Sequence, residues 1–311
     1  MTIRTARFSD TTAAALLAAA ALAVPAALMA PAQAQTVTAS PLVLRQLTPN
    51  VYWTKEGGQT AVVIGPKGVI VYDVTMTVAR AKELQARIAE VTPKPIVAVI
   101  LSHVDEDHVG GLGAFPADLS VYAHPRTMAL IKADAAAGKG PIPPNHVPNH
   151  AIARTTTLTL GGEPVRIIAN GPAHTDGDLV VYLPRQGVVL AGDIFCMDQP
   201  RPYIKPELAG SSAGWVKTAG LIVGLNPKWV VVGHGEPQKP GNLKAFIADA
   251  AAERAAIVKA AHAGKSMDEA EALAGEPQPS NVPIKPGQHL AQYGRAVYME
   301  ATGQKPADHG R

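Results

Sequence analysis

A single cysteine, Cys196, rules out any disulfide within the chain. Stability must therefore come chiefly from packing. Long basic runs are also missing. The net charge of +3 is spread along the chain, which leaves no footprint for nucleic acid or for an anionic membrane. No internal repeat of fixed short period is visible, and beyond the N-terminus no apolar run is long enough to span a bilayer. Disorder on the scale of the whole chain is excluded as well. With 47% hydrophobic and 17% charged residues over 311 positions, the chain can bury a sizeable core, in one large domain or two small ones.

The N-terminus carries Arg4 and Arg7, an alanine-rich apolar run from Ala13 to Ala30, and then Ala32-Gln33-Ala34. This is the n-region, h-region and small-residue cleavage pattern of a secretory signal. Residues 1–34 are read as a signal peptide, with the mature chain beginning near Gln35 in the periplasm or outside the cell. An uncleaved anchor is the secondary reading, and no membrane span remains once the signal is removed.

From Leu42 the chain reads as short strands over Leu42 to Leu47, Val51 to Thr54, Thr60 to Ile64 and Gly68 to Tyr72, separated by turn residues. Asp73 ends the fourth strand. Val78 to Val91 has helical spacing at Leu84, Ile88 and Val91. Pro93 and Pro95 stop it, and Ile96 to Leu101 is a continuous apolar run that suits a fully buried strand. Further strands are expected at Leu119 to Ala123, Ala151 to Leu160, Val165 to Ala169, Leu179 to Leu183, Val188 to Ala191 and Trp229 to Val232. Helices are expected from Pro125 to about Ala137, Ser211 to Gly224 and Asn242 to His262. Residues 35–263 form the expected domain, and 264–311 read as a C-terminal helical tail.

The chemistry-bearing stretch is Ser102-His103-Val104-Asp105-Glu106-Asp107-His108-Val109-Gly110-Gly111, directly after the buried run. Two imidazoles and three carboxylates fall within six residues, a donor set that suits one or two divalent cations. Three later places repeat the pattern of a strand followed by a His or Asp in a glycine-rich loop: His174, Asp193 and His234. A lone histidine after a strand is usually a hydrogen-bonded structural residue. Four such places are harder to explain that way, because loops after buried strands converge on one edge of a packed sheet.

His-x-Asp-x-Asp-His, then Gly-Pro-Ala-His-Thr, Ala-Gly-Asp and Val-Gly-His-Gly, in that order, resemble the metallo-β-lactamase superfamily of metallohydrolases over roughly Val43 to Ala261. The resemblance implies an α+β, four-layer αβ/βα sandwich of two mostly antiparallel sheets, with helices outside and metals at one sheet edge. It implies one metal site from His103, Asp105 and His174, a second from Asp107, His108 and His234, and Asp193 bridging the two. Two cations so held would lower the pKa of a shared water to roughly 7 and polarise the bond under attack. The resulting hydroxide is the nucleophile, so no Ser or Cys is needed, and Asp107 would orient it and pass a proton to the leaving group. Two divalent ions are expected, zinc foremost, with iron or manganese as alternatives.

Asp105 departs from the commonest family pattern, which has a second histidine there. A carboxylate makes the first site harder and more anionic. Asp193 and Cys196 stand where the commonest zinc β-lactamases put a cysteine ligand and a drug-binding lysine, which speaks against efficient β-lactam hydrolysis by the usual contacts. Cys196 is read as a small packing residue. Glu106 is expected to be solvated or to support a ligand from behind, His124 to cap a helix, and His146 and His150 to lie on a surface loop. Asp176 and Asp178 are expected to orient His174 or cap the next strand, and Tyr203 and Lys205 are candidate substrate contacts. The implied function is an exported metal-dependent hydrolase acting on a small molecule through an ester, lactone, amide (β-lactams included) or phosphoester bond. The rival is a non-catalytic periplasmic protein that binds metal or a small ligand at a degenerate site.

Overall fold

The computed structural model of the protein describes residues 40–273 and 291–305. The expected signal peptide and residues 274–290 of the tail lie outside the described residues. A first sheet runs in chain order through β1 (Leu44–Thr48), β2 (Val51–Thr54), β3 (Thr60–Ile64), β4 (Val69–Tyr72), β5 (Ile96–Ile100), β6 (Ser120–Ala123) and β7 (His150–Ala151). Tight turns make the first three ladders antiparallel. The next three are parallel and need longer crossovers. The β4–β5 crossover is helix α1 (Val78–Val91), whose N-cap Thr77 accepts through its hydroxyl from Arg80 N at 3.2 Å. Its buried stripe is Ala81, Leu84 and Ile88, while Val91 at the last turn is exposed. The single turn α2 (Glu106–Val109) follows β5, and α3 (Pro125–Ala136) follows β6.

The second sheet holds β8 (Thr156–Leu160), β9 (Glu163–Ile168), β10 (Val180–Leu183), β11 (Val188–Leu190) and β12 (Trp229–Val231), ordered β12-β11-β10-β9-β8. Helix α4 (Ser212–Gly224) makes the crossover to β12, which pairs parallel to β11. The other three ladders of this sheet are antiparallel. The stretch from Ala151 to Leu160, expected as one strand, is divided by a bend at Arg154. Its start pairs with β6 in the first sheet and its end with β9 in the second, so the chain changes sheets there. Helices α5 (Pro240–His262), α6 (Met267–Leu273) and α7 (Ala291–Thr302) complete the described chain.

Strand alternation explains the layers. On β4, Ile70 and Tyr72 face the second sheet while Val69 and Val71 face α1, and on β3 Ala61 and Val63 face inward while Val62 faces out. Both faces are covered, which is why these strands are apolar throughout. Between the sheets lie Val51, Trp53, Ile100, Val165, Ile167, Val181 and Leu190. Trp215 and Ile222 of α4, Leu243 and Ile257 of α5, and Tyr293 and Val297 of α7 cover the outer face of the second sheet. The described part of the tail is thus core structure. Glu300 of α7 accepts from Ser211 Oγ at 2.6 Å and Ser212 N at 2.9 Å, at the start of α4.

One buried contact joins the sheets at the edge where β5 ends. Tyr72 Oη donates to Leu179 O at 2.8 Å, and Leu179 N donates to Ser102 O at 2.7 Å. Replacing Tyr72 by Phe removes the donor while keeping the ring. Denaturant unfolding of that variant is expected to report a loss of about 1–3 kcal/mol.

Candidate metal centre

The carboxyl ends of β5, β11 and β12, with the loop after β9, deliver the donor residues to one edge. His103 stands just past β5, and Asp105 is the N-cap residue of α2, the turn that carries Asp107 and His108. His174 lies in the loop between β9 and β10, Asp193 in a single turn after β11, and His234 just past β12. The glycine pair after α2 has a steric cause. A Cβ at Gly110 would stand 1.9 Å from Met76 O, and one at Gly111 would stand 2.0 Å from Val74 O. Only glycine lets α2 seat on the chain leaving β4, where Val74 N donates to His108 O at 2.7 Å.

His103, Asp105, His174 and Asp193 form one donor group, and Asp107, His108 and His234 another, the donor atoms of each group lying within 4.8 Å of one another. Asp105 Oδ2 is 3.4 Å from both His103 Nε2 and His174 Nε2. Asp107 Oδ2 is 3.6 Å from His108 Nε2 and 3.3 Å from His234 Nε2. Asp193 stands between the groups. Its Oδ1 is 3.1 Å from His108 Nε2, and its Oδ2 is 3.8 Å from His103 and His174 Nε2 and 3.4 Å from His234 Nε2. Donors on a tetrahedron of about 2.1 Å radius are about 3.4 Å apart, so these spacings fit divalent ions.

The far sides of the rings fix which nitrogen faces inward. Asp73, buried at the end of β4, accepts from Ser102 N and Ser102 Oγ, both at 2.7 Å, and from His108 Nδ1 at 2.8 Å. The Ser102 proton is therefore spent on Asp73, and Ser102 Oγ accepts from His103 Nδ1 at 2.8 Å. His174 Nδ1 donates to the carbonyl of Tyr203 at 2.6 Å. With Nδ1 protonated in all three neutral rings, each Nε2 lone pair points at a carboxylate. Lone pair against lone pair is repulsive unless a cation lies between. His103 Nε2, His108 Nε2 and Asp193 Oδ1 are buried without a hydrogen-bond partner, as expected of ligands aimed at an ion.

Electrostatics carry the same demand for positive charge. Burial alone would depress the imidazoles, yet Asp193 and Asp73 hold His108 well above its ordinary value. Asp105 and Asp193 likewise raise His174. Against the same burial, Asp107 and Asp193 lift His234 to about 10. Burial pushes Asp105 and Asp193 up, but His103 and His174 around the first, and His108 and His103 around the second, bring both below the usual carboxylate range.

Asp73 and Ser102 are the supporting residues that composition and spacing did not single out. The signal was a carboxylate directly behind a strand of four buried apolar residues. Its φ of 61° and the φ of 67° at Thr75 place two non-glycine residues in the left-handed region within three positions, a strain that accompanies functional sites. The other expectations divide. Glu106 is exposed, and His124 caps α3, its Nδ1 accepting from Arg126 N at 3.3 Å. His146 bonds Asn145, and His150 stacks on Tyr122.

The expectation that Asp176 or Asp178 orients the His174 ring is corrected. That ring is oriented by Tyr203 O, since Asp176 pairs with Arg126 and Asp178 accepts from Thr175 N and Oγ1. Asp178 shapes the loop from within and Asp176 ties it to α3, which leaves the ring to the segment carrying Tyr203. Tyr203 thus contributes its carbonyl to the centre, and Lys205 Nζ binds Asp105 Oδ2 at 2.5 Å. Cys196 is buried within donor reach of Asp193 and His234. Burial and Asp193 push its thiol pKa up, so it stays protonated without metal.

Two measurements follow from this geometry. Asp73→Asn places an amide where His108 and Ser102 need an acceptor, and zinc affinity, read by competition with a chromophoric chelator, is expected to weaken about 10–100-fold. In the metal-free chain His234 is raised from 6.5 to about 10. Its stabilising contribution is complete below the lower value and is lost as pH climbs through the higher. The urea midpoint of the metal-free chain should fall across that window, and divalent metal should reduce the fall by holding the neutral ring.

Comparison with known proteins agrees with this arrangement. Residues 54–234 match the metallo-beta-lactamase superfamily. The chain is 25% identical over 220 residues to a type 2 metallo-beta-lactamase of Bacteroides fragilis, covering 66% of this chain and 84% of that protein. It is 24% identical over 186 residues to the 2,4-dinitroanisole O-demethylase subunit alpha of a Nocardioides species, covering 58% of this chain and 54% of that one. Among solved structures, a metallo-beta-lactamase from Pontibacter korlensis superposes with a TM-score of 0.57 at 20% identity, over 67% of this chain and 97% of that chain. The stereoselective inverting sec-alkylsulfatase Pisa1 from a Pseudomonas species gives 0.64 at 18% identity, over 83% of this chain and 50% of that chain. A match across more than half of the sequence, on the fold and donor cluster described above, means that the chain belongs to the metallo-beta-lactamase superfamily.

Proposed function

We propose that this chain is an exported metal-dependent hydrolase with a two-metal centre. The observation that carries the reading is the inward convergence of His103, His108 and His174 Nε2 on three carboxylates, a geometry that calls for positive charge between them, which metal ions would supply. His103, Asp105 and His174 would hold one ion and Asp107, His108 and His234 the other, with Asp193 shared. Zinc is the first candidate, because imidazole and carboxylate at near-tetrahedral spacing suit it, with iron or manganese as alternatives. Bound ions would supply Lewis acidity and lower the pKa of a water at the site towards neutrality.

The chain's own residues divide the remaining work. Asp193 is nearly inaccessible, so it holds the imidazoles of both groups in register and takes no direct part in proton traffic. Asp107, with 22% of its side chain exposed against 12% for Asp105 and 3% for Asp193, is the carboxylate open to substrate. It orients the attacking water and carries the proton to the leaving group. Hydrolysis of an ester, lactone, amide or phosphoester needs this combination of a poised water and a proton carrier. The named relatives act on β-lactams and on sulfate esters, which places both bonds in the set worth assaying. Export is supported by the n-region, h-region and small-residue pattern of residues 1–34.

The test combines metal analysis with a substrate panel on the purified mature protein. Stoichiometric transition metal, with turnover of at least one β-lactam, lactone, sulfate ester or phosphodiester, is expected. Asp107→Asn should lower kcat by about 10²-fold or more. Less than one bound ion per chain together with no turnover would overturn the enzyme reading.

A further inference from the structure

Asp105 has a partner that neither the donor pattern nor the family resemblance assigns. Lys205 Nζ lies 2.5 Å from Asp105 Oδ2, the same oxygen that is 3.4 Å from His103 and His174 Nε2. The lysine arises 100 positions further along the chain and is held there from several sides. Its backbone N donates to His174 O at 2.9 Å, and Gly210 N and Leu208 N donate to its carbonyl at 2.9 and 3.0 Å. Its ammonium stands 5.5 Å from the centre of the Tyr203 ring, and only 18% of its side chain is exposed. Ile204, just before it, is buried in the core under α4 and α5, and its carbonyl accepts from Gln292 of α7 at 3.4 Å. A surface lysine that met a carboxylate by chance would have none of these constraints.

We propose that Lys205 is a positioning and charge-compensating residue for the first metal site, so that the Asp105–Lys205 pair stands in for a neutral imidazole. The inference rests on the two-metal reading above and deepens it. A carboxylate in a site with two imidazoles adds a full negative charge, which tightens cation binding and weakens the Lewis acidity of the bound ion. An ammonium fixed against the same oxygen cancels that charge and leaves the oxygen free to donate on its other side. The local charge then equals that of a three-imidazole site, and Asp105 becomes a tuned ligand instead of a defect.

Charge compensation predicts an order of affinities that simple packing does not. Stepwise Zn²⁺ dissociation constants would be measured by chelator competition for wild type, Lys205→Met, Lys205→Arg, Asp105→His and the double variant Asp105→His/Lys205→Met. Lys205→Met leaves the carboxylate unopposed, and the first-site affinity should rise about tenfold or more. Lys205→Arg keeps the charge and should match wild type. Asp105→His sets an ammonium beside a neutral ligand and should bind weakest, and adding Lys205→Met should return it to near the wild-type value. Visible spectra of the Co²⁺ forms check that Lys205 variants retain the wild-type ligand field while Asp105→His changes it. Zinc binding by wild type with no change on Lys205→Met, or weakening by Lys205→Met and Lys205→Arg alike, would overturn the charge role while leaving the metal reading intact. Absence of stoichiometric zinc from the folded wild type would overturn both.

Discussion

The buried carboxylate of Asp73 is the constraint on which the centre depends. It terminates β4, receives the backbone and hydroxyl protons of Ser102 from the neighbouring β5, and takes the Nδ1 proton of His108 from α2. One anion thereby orders three consecutive pieces of the site: the strand end, the first histidine through the serine, and the fourth ligand-type residue directly. Burial of such a charge is costly unless several donors meet it, and here they do. The left-handed backbone at Asp73 and Thr75 and the glycine pair at Gly110 and Gly111 are the local concessions that bring those donors into place.

Around that anchor the site is electrostatically unfinished without cations. Histidine lone pairs and carboxylate oxygens face one another across 3.1–3.8 Å, and protons partly take the place of metal in the free chain. The donors are thus preorganised around a place for positive charge, and the fold must hold them there. It does so with contacts on the far side of each ring: Ser102 behind His103, Asp73 behind His108, and Tyr203 O behind His174. Tyr72 and Leu179 tie the two sheets together beside them. The loop from Met197 to Gly210 joins this support from the opposite side. It is tethered to α5 through Arg201 and Glu253, and it brings both the Tyr203 carbonyl and Lys205 to the centre.

Much was legible in the linear sequence because strand and helix periodicities are local. The expected bounds of α1 coincide with those observed, and most strand bounds fall within two residues, since turn residues and prolines mark where each apolar run stops. The interrupted stretch after His150 was not legible, because a strand that changes sheets keeps the composition of one strand, and only the partners on either side divide it. The first sheet is half parallel, a consequence of crossovers through α1 and α3 that the individual runs do not announce.

The donor set, too, could be read as letters: His103, Asp105, Asp107 and His108 lie within six consecutive residues, and His174, Asp193 and His234 each follow an apolar strand. Residue type and the position of strand ends determine which side chains can chelate, and both are local properties. What the tertiary structure alone decided is how those donors are held and charged. Asp73 faces His108 across 35 positions and Lys205 faces Asp105 across 100, separations at which sequence carries no distance information. The parallel edges of two packed sheets turn such remote residues into neighbours. Coulomb and hydrogen-bond forces, which depend on ångströms and not on chain position, then set the protonation and charge of the centre.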